Sequence, residues 1–146
     1  MKLKIERLND KAILPKYESL GAAAFDLATD GNIEYDDLGN AICGTGLKFE
    51  VPEDHVMLIF SRSGHGFKSD ISLSNSVGVI DSDYRGEVKI KLAAASAKGQ
   101  EVLDQIKQGD RLAQGLIVYC PQIEIVESDK LSETVRGSNG FGSTGQ

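Results

Sequence analysis

The sequence predicts an all-β fold: an antiparallel sandwich or barrel-like roll with one short helix and a flexible C-terminal arm. Two observations carry this. Short runs with apolar and polar residues in alternation recur along the chain, the signature of half-buried strands. Clusters of Gly, Asp, Asn, Ser and Pro divide them at short intervals, as turns require. A third sets the scale. At 146 residues, without internal repeats or a low-complexity linker before the tail, the chain suits one domain.

The first run is "KLKIERL", followed by "AFDLAT", where an aspartate sits between apolar neighbours. The stretches "TDGN" and "DDLGN" then read as turns before "GLKFEV". "VPED" turns the chain into "HVMLIF". A short helical turn is expected after Ser63, in "SGHGFKS". "DISLS" and "VGVI" are strands. "GEVKIKLA" is the clearest of all, because Val88, Ile90 and Leu92 alternate with Glu87, Lys89 and Lys91. "AAASAKGQEVLDQIKQ" contains strong helix formers, but Gly99 interrupts it and Gly109 closes it. A strand over "EVLDQIKQG" is favoured there, since the surrounding sheet needs a partner. "GLIVYC" and "IEIVE" complete the strands. The last stretch, "RGSNGFGSTGQ", is rich in glycine and has no apolar cluster to pack.

Composition narrows the function. The 40% hydrophobic and 26% charged content is that of an ordinary soluble domain. The charged start "MKLKIERLNDK" lacks the apolar core of a signal peptide, and "VMLIF" and "LAAA" are too short to cross a bilayer, so no membrane role is expected. Cys43 and Cys120 stand apart, without metal-ligand or CxxC spacing, as reduced thiols of a cytoplasmic protein do. A net charge of −6 argues against a sequence-independent grip on nucleic acid. A small anionic ligand remains compatible, because local charge can oppose the net field. Arg62, Arg85, Arg111 and Arg136 each adjoin Gly, Ser or Asp in turn-like contexts. Their guanidinium forks suit phosphate, and they equally suit capping strand ends.

Four further stretches hold reactive groups. In "NSVGVIDSDYRGEV", Asn75 to Val88, an apolar strand delivers Asp81 to the tip of a hairpin beside Asp83 and Tyr84. Aspartates in such a turn can simply bond local backbone. "SRSG" joins Arg62, Ser63 and Gly64, a fork of donors with a hydroxyl and a permissive backbone that can present N–H groups to an anion. "GDRLAQ" sets an arginine after a turn and Gln114 on a strand. Asp26 lies within an apolar strand, where a lone carboxylate is costly to bury. It therefore faces solvent, a partner or a cation shell. His65 reads as an exposed loop histidine, and His55 as a structural or surface one.

In order, "AAAFDL", "SRSG", "NSVGVIDSDYRGE", "GDRLAQ" and "RGSNGFGSTG" resemble the five motifs of the trimeric dUTP diphosphatases. They span residues 22–145. The resemblance implies a jelly-roll-like subunit, a homotrimer with active sites shared between subunits, and Mg²⁺-assisted hydrolysis of dUTP to dUMP and pyrophosphate. Such an enzyme limits uracil in DNA and supplies dUMP for dTMP synthesis. By position, Asp81 would activate the water that attacks the α-phosphorus. Tyr84 would pack under the deoxyribose. Asn75 and the backbone of Gly78, Val79 and Ile80 would read the uracil edge. Arg62, Ser63, Gly64 and Gln114 would hold phosphate oxygens, and Asp26 would reach Mg²⁺ through coordinated water. Two departures stand out: Ser61 where the family usually has proline, and Ala24 where it usually has glycine.

The same resemblance gives the tail a purpose. Residues 1–135 would form the β-rich body and 136–146 a lid. Arg136 would pair with the γ-phosphate, Phe141 would lie on the uracil ring, and Gly142, Ser143 and Thr144 would approach the phosphates. Ordering ten residues costs roughly 10–20 kcal/mol. The lid is therefore expected to close only on a ligand with both a polyphosphate and a flat base. Two alternatives share the motifs in part: a dCTP deaminase-like enzyme of the same fold, and a nucleotide-gated binding or regulatory protein. The uninterrupted "GVIDSDYRGE" favours dUTP hydrolysis over the first, and retention of Asp81 favours catalysis over the second.

Overall fold

A computed structural model describes residues 1–140. Ten strands, all paired antiparallel, make three sheets. The strands β1 (Lys4–Arg7) and β5 (Leu47–Glu50) pair alone. The first four-stranded sheet runs β2 (Phe25–Ala28), β10 (Arg111–Tyr119), β6 (His55–Ser61), β8 (Val77–Ile80). The second runs β3 (Ile33–Tyr35), β4 (Ala41–Gly44), β9 (Lys89–Ala94), β7 (Ile71–Leu73). Phe25, Leu27, Met57 and Ile59 from one sheet share a single core with Cys43, Ile71, Ile90 and Leu92 from the other. The all-β sandwich expected from the alternation is present. Among the described residues no helix is long and apolar enough to cross a membrane.

Two helices are present rather than one. The expected turn after Ser63 is α1 (Ser63–Ser69). The strand favoured over "EVLDQIKQG" is not formed; α2 (Ala97–Leu103) takes its first residues, and turns follow. Capping decides this. The Ser96 hydroxyl accepts the Gly99 N–H at 3.1 Å, satisfying a donor that a helix start leaves free. Gly99, which seemed to interrupt a helix, lets α2 approach α1: a Cβ there would stand 2.6 Å from the Ser69 carbonyl oxygen. Leu103 is fully buried and ties α2 to the core.

Two strands not anticipated, β3 and β4, flank the expected turn at Asp36–Asn40. Asp36 Oδ1 accepts the N–H groups of Leu38 and Asn40 at 3.0 and 2.9 Å, and so builds that turn. The strand expected at "IEIVE" is not formed. Residues 121–135 follow β10 in irregular conformation, with Ile123, Ile125, Val126, Leu131 and Val135 exposed.

Candidate active site

The expected hairpin is not a paired one. β8 pairs with β6 and β9 with β4 and β7, so the residues between Asp81 and Val88 connect different sheets. β8 is thereby an edge strand with one row of backbone N–H and C=O groups unpaired. Beside that edge lies a cavity of about 370 Å³ lined by Asn75, Gly78, Val79, Ile80 and Lys89 among others. It adjoins a second, of about 510 Å³, that also touches Val79, Ile80 and Lys89 and reaches Asp81 and Tyr84. Asn75 stands at one end of β8 and Asp81 at the other. Packing fixes the strand's position: Gly78 is buried with its Cα facing Ile59, leaving no room for a large side chain.

Asp81 is exposed. Arg85 holds the turn around it, donating from Nη1 to the carbonyls of Ser82 and Tyr84 at 2.6 and 2.9 Å. The Tyr84 hydroxyl donates to the Glu87 carbonyl at 3.1 Å. That ring folds so tightly over Gly86 that a Cβ there would meet its Cζ at 2.5 Å. A glycine is thus required to lay Tyr84 beside Asp81.

The cationic residues gather elsewhere. Asp26 on β2 accepts from Arg62 Nε through Oδ1 and from Arg111 Nη1 through Oδ2, both at 2.9 Å. Arg62 Nη1 donates to the Arg111 carbonyl at 3.1 Å, and Gln114 Nε2 to the Ser61 carbonyl at 2.9 Å. Glu18 stands 3.6 Å from Arg111. Of the three readings for Asp26, a partner is therefore present, and it is a pair of guanidiniums. Such charge-assisted bonds fix both forks in place.

Arg111 was not among the residues assigned a role from the sequence. A β-bulge hides it. Strict alternation would put Arg111 and Gln114, three apart, on opposite faces. The register shift between Arg111 and Ala113 turns Leu112 and Ala113 both inward and brings Arg111 to the face of Asp26 and Gln114. The one signal available was its place in "GDRLAQ". Ser61, the proline departure, has a visible use: its hydroxyl accepts the Leu73 N–H at 2.9 Å and ties the Arg62 loop to β7. Ala24 is half-buried ahead of Phe25.

Ser63 and Gly64 open α1, exposed, next to Arg62. No side chain caps this helix, so its first N–H groups are free to take another acceptor. His65 is not the exposed loop residue expected. It lies on α1, half-buried, beside Arg62. His55 opens β6, its Nδ1 2.8 Å from the Glu53 carbonyl and its ring edge-on to Tyr119. Both cysteines are free; burial pushes the Cys43 thiol up to about 11. Arg136 is exposed, with Nε donating to the Asn139 carbonyl at 2.8 Å. The assignments to Phe141, Gly142, Ser143 and Thr144 lie outside the described residues.

One chain does not bring all these parts together. Ile80 pairs with Met57, so Asp81 lies beyond that end of β6, while Arg62 follows Ser61 at the other. Six steps along the strand separate them, roughly 20 Å. Among the described residues no three His, Cys, Asp or Glu side chains gather to hold a metal ion. With both Asp26 oxygens engaged by arginine, a protein cage for a cation is not formed. The donor set fits Mg²⁺ of the other kind, which keeps its waters and takes substrate phosphates as ligands.

A β-sandwich with a slot along a bare strand edge and, apart from it, two guanidiniums held on one carboxylate offers groups for a flat ring and for anionic oxygens. Comparison with known proteins makes this specific. The family model for dUTPase matches residues 10–145. The chain is 43% identical over 146 residues to the deoxyuridine 5'-triphosphate nucleotidohydrolase of Nautilia profundicola, covering all of both chains. It is 40% identical to that of Wolinella succinogenes, covering 100% of this chain and 95% of the relative. In fold it is similar to a Staphylococcus bacteriophage 80alpha dUTPase variant solved with dUpNHpp, at a TM-score of 0.85 and 23% identity over 99% of each chain. A phage phi11 dUTPase variant, described with a structural Mg(II) ion, matches at 0.76 and 24% identity over 91% of this chain and 100% of its own. The chain belongs to the dUTPase family.

Proposed function

We propose that this protein hydrolyses dUTP to dUMP and pyrophosphate in a homotrimer whose sites draw on more than one subunit. The observation that carries the reading is the bare edge of β8, lining a slot that ends at Asp81 and Tyr84. A base inserted there meets backbone donors and acceptors of Gly78, Val79 and Ile80, with Asn75 at the inner end. Tyr84 packs under the sugar and leaves no space for a 2′-hydroxyl. Steric exclusion of the thymine methyl by the β8 edge would be a stronger filter than a missing contact.

Asp81 takes a proton from water as its oxygen bonds to the α-phosphorus. The bond from that phosphorus to the bridging oxygen breaks, and pyrophosphate leaves. Phosphoryl transfer needs little beyond positioning and charge stabilisation. Arg62, Ser63, Gly64 and Gln114 supply these at the phosphates, and Arg111 joins them. Asp26 keeps both guanidiniums aimed and would hold Mg²⁺ through coordinated water. That ion, when bound, offsets charge on the phosphate oxygens. Residues 136–146 close as a lid, with Arg136 on the γ-phosphate.

The separation of Asp81 from Arg62 supports a shared site, because no single chain spans it. The exposed apolar residues of 121–135 supply material for contacts between subunits. The unpaired thiols suit the cytoplasm. The test is pyrophosphate release from dUTP, dTTP, UTP and dCTP with and without Mg²⁺. Release from dUTP alone, dependent on Mg²⁺, is expected; ammonia from dCTP, or intact dUTP, overturns the reading.

A further inference from the structure

Behind the Arg62 loop lies a cavity of about 470 Å³ that belongs to neither part of the nucleotide slot. Its walls come from α1, from the turns after α2 and from the start of β10, and His65 projects among them. The His65 Nδ1 is enclosed and has no hydrogen-bond partner among the described residues. Its backbone N–H donates to the Arg62 carbonyl at 3.1 Å, so ring and guanidinium belong to the same turn.

Charged and apolar groups both surround this ring, with Ile71 from β7, Leu92 from β9 and Val102 from α2 on the apolar side. Arg62 comes from the start of α1, Asp110 and the Leu112 carbonyl from the approach to β10, and Asp26 from β2. Lys107 and Arg111 line the same cavity. Burial, with Arg62 second, holds the imidazole below its ordinary value, while the Leu112 carbonyl, Asp110 and Asp26 pull the other way. The free protein therefore keeps His65 uncharged near neutral pH, next to an arginine that a polyphosphate would neutralise.

We propose that His65 is a positioning residue that backs Arg62 as a neutral ring and gains a proton when a polyphosphate binds. This rests on the phosphate role given to Arg62 above. The physics is linkage. Anionic oxygens on Arg62 offset the repulsion that adds to burial in keeping the ring neutral, and the proton adds a cation behind the phosphate loop. Linkage is reciprocal: a one-unit rise in the imidazole pKa on binding is about a tenfold gain in affinity on protonation.

The test uses the protein's two histidines. Imidazole resonances are followed by NMR across pH, alone and with saturating α,β-imido dUTP, while backbone amides of Arg62 and Gln114 report binding. The His65 resonance is assigned by its loss in His65→Asn, because His55 opens β6 at the Asp81 end. His65 is expected to titrate at higher pH with the analogue. Amide shifts without movement of His65 overturn the inference and leave the proposed function standing. Absence of amide shifts overturns both.

Kinetics give a second readout. KM for dUTP in the unaltered enzyme should fall from pH 7.5 to 6.0 by about fivefold more than in His65→Asn. Equal pH dependence of KM overturns the inference. A His65→Gln variant that folds and behaves as His65→Asn guards against a purely structural effect.

Discussion

The two ends of β6 handle charge in opposite ways. At the Ser61 end every charged group is engaged: Asp26 grips Arg62 and Arg111, and Gln114 holds the Ser61 carbonyl. At the Met57 end the neighbouring carboxylate, Asp81, is exposed on a turn whose bonds are made by Arg85 and Tyr84 instead. The difference follows from the work proposed for each. Cations that receive a polyphosphate gain from being fixed beforehand, because the ordering cost is then met in folding. A base must keep its oxygens for water, so the surrounding turn supplies the rigidity.

The sharpest way to break this contrast is at Asp81. Asp81→Asn should lower kcat by about 10²–10⁴-fold with the thermal midpoint unchanged, measured by pyrophosphate release and calorimetry. Turnover that survives removes the base. A second test asks whether the two ends serve different sites within one chain. Asp81→Asn and Arg62→Ala subunits, each inactive alone, should recover about a quarter of full activity when mixed after dissociation at equal amounts. Without recovery, each chain completes its own site.

A smaller effect is expected from the anchor. Asp26→Asn takes the charged partner from both Arg62 and Arg111 and should raise KM about tenfold. If the rise persists at saturating Mg²⁺, the carboxylate acts through the arginines; if saturating Mg²⁺ reverses it, the ion is its main client. The smallest effect calibrates the comparison. Asp36 and Lys91 form another close pair, at 2.6 Å, away from both ends. Lys91 and Asn40 hold the Asp36 carboxyl well below its ordinary range. That stability is present above the ordinary carboxylate pKa and is lost as pH falls below it. Lys91→Met should move the acid unfolding midpoint by a fraction of a pH unit, followed by circular dichroism.

Alternation and turn residues made the sandwich legible, since burial on one face leaves a period of two in the sequence. The strands at Phe25, His55, Val77 and Lys89 are where that pattern puts them. Two errors have one cause. "VGVI" and "VKIKLA" look like arms of a hairpin, yet each pairs with strands remote in sequence, and pairing partners leave no local mark. The α2 segment was misread because Gly99 argues against a helix until the close approach to Ser69 is seen. For the proposed site, motif order is what supplied Asp81, Tyr84, Arg62 and Gln114. Arg111 escaped as a role-bearing residue because one bulged residue reverses the face of everything before it. Enclosure of His65 was likewise illegible, being set by cavity walls from three elements.

The irregular stretch after β10 has a bearing on the protein's life before catalysis. Ile123, Ile125, Val126, Leu131 and Val135 form an oily ribbon that no other described residue covers. Water penalises that ribbon in proportion to its area. If the proposed trimer covers the ribbon, a lone copy is prone to clump, and assembly protects the chain as well as completing its sites. Dilution should then be harmful in its own right, and tolerance of heat should depend on how much protein is in the tube.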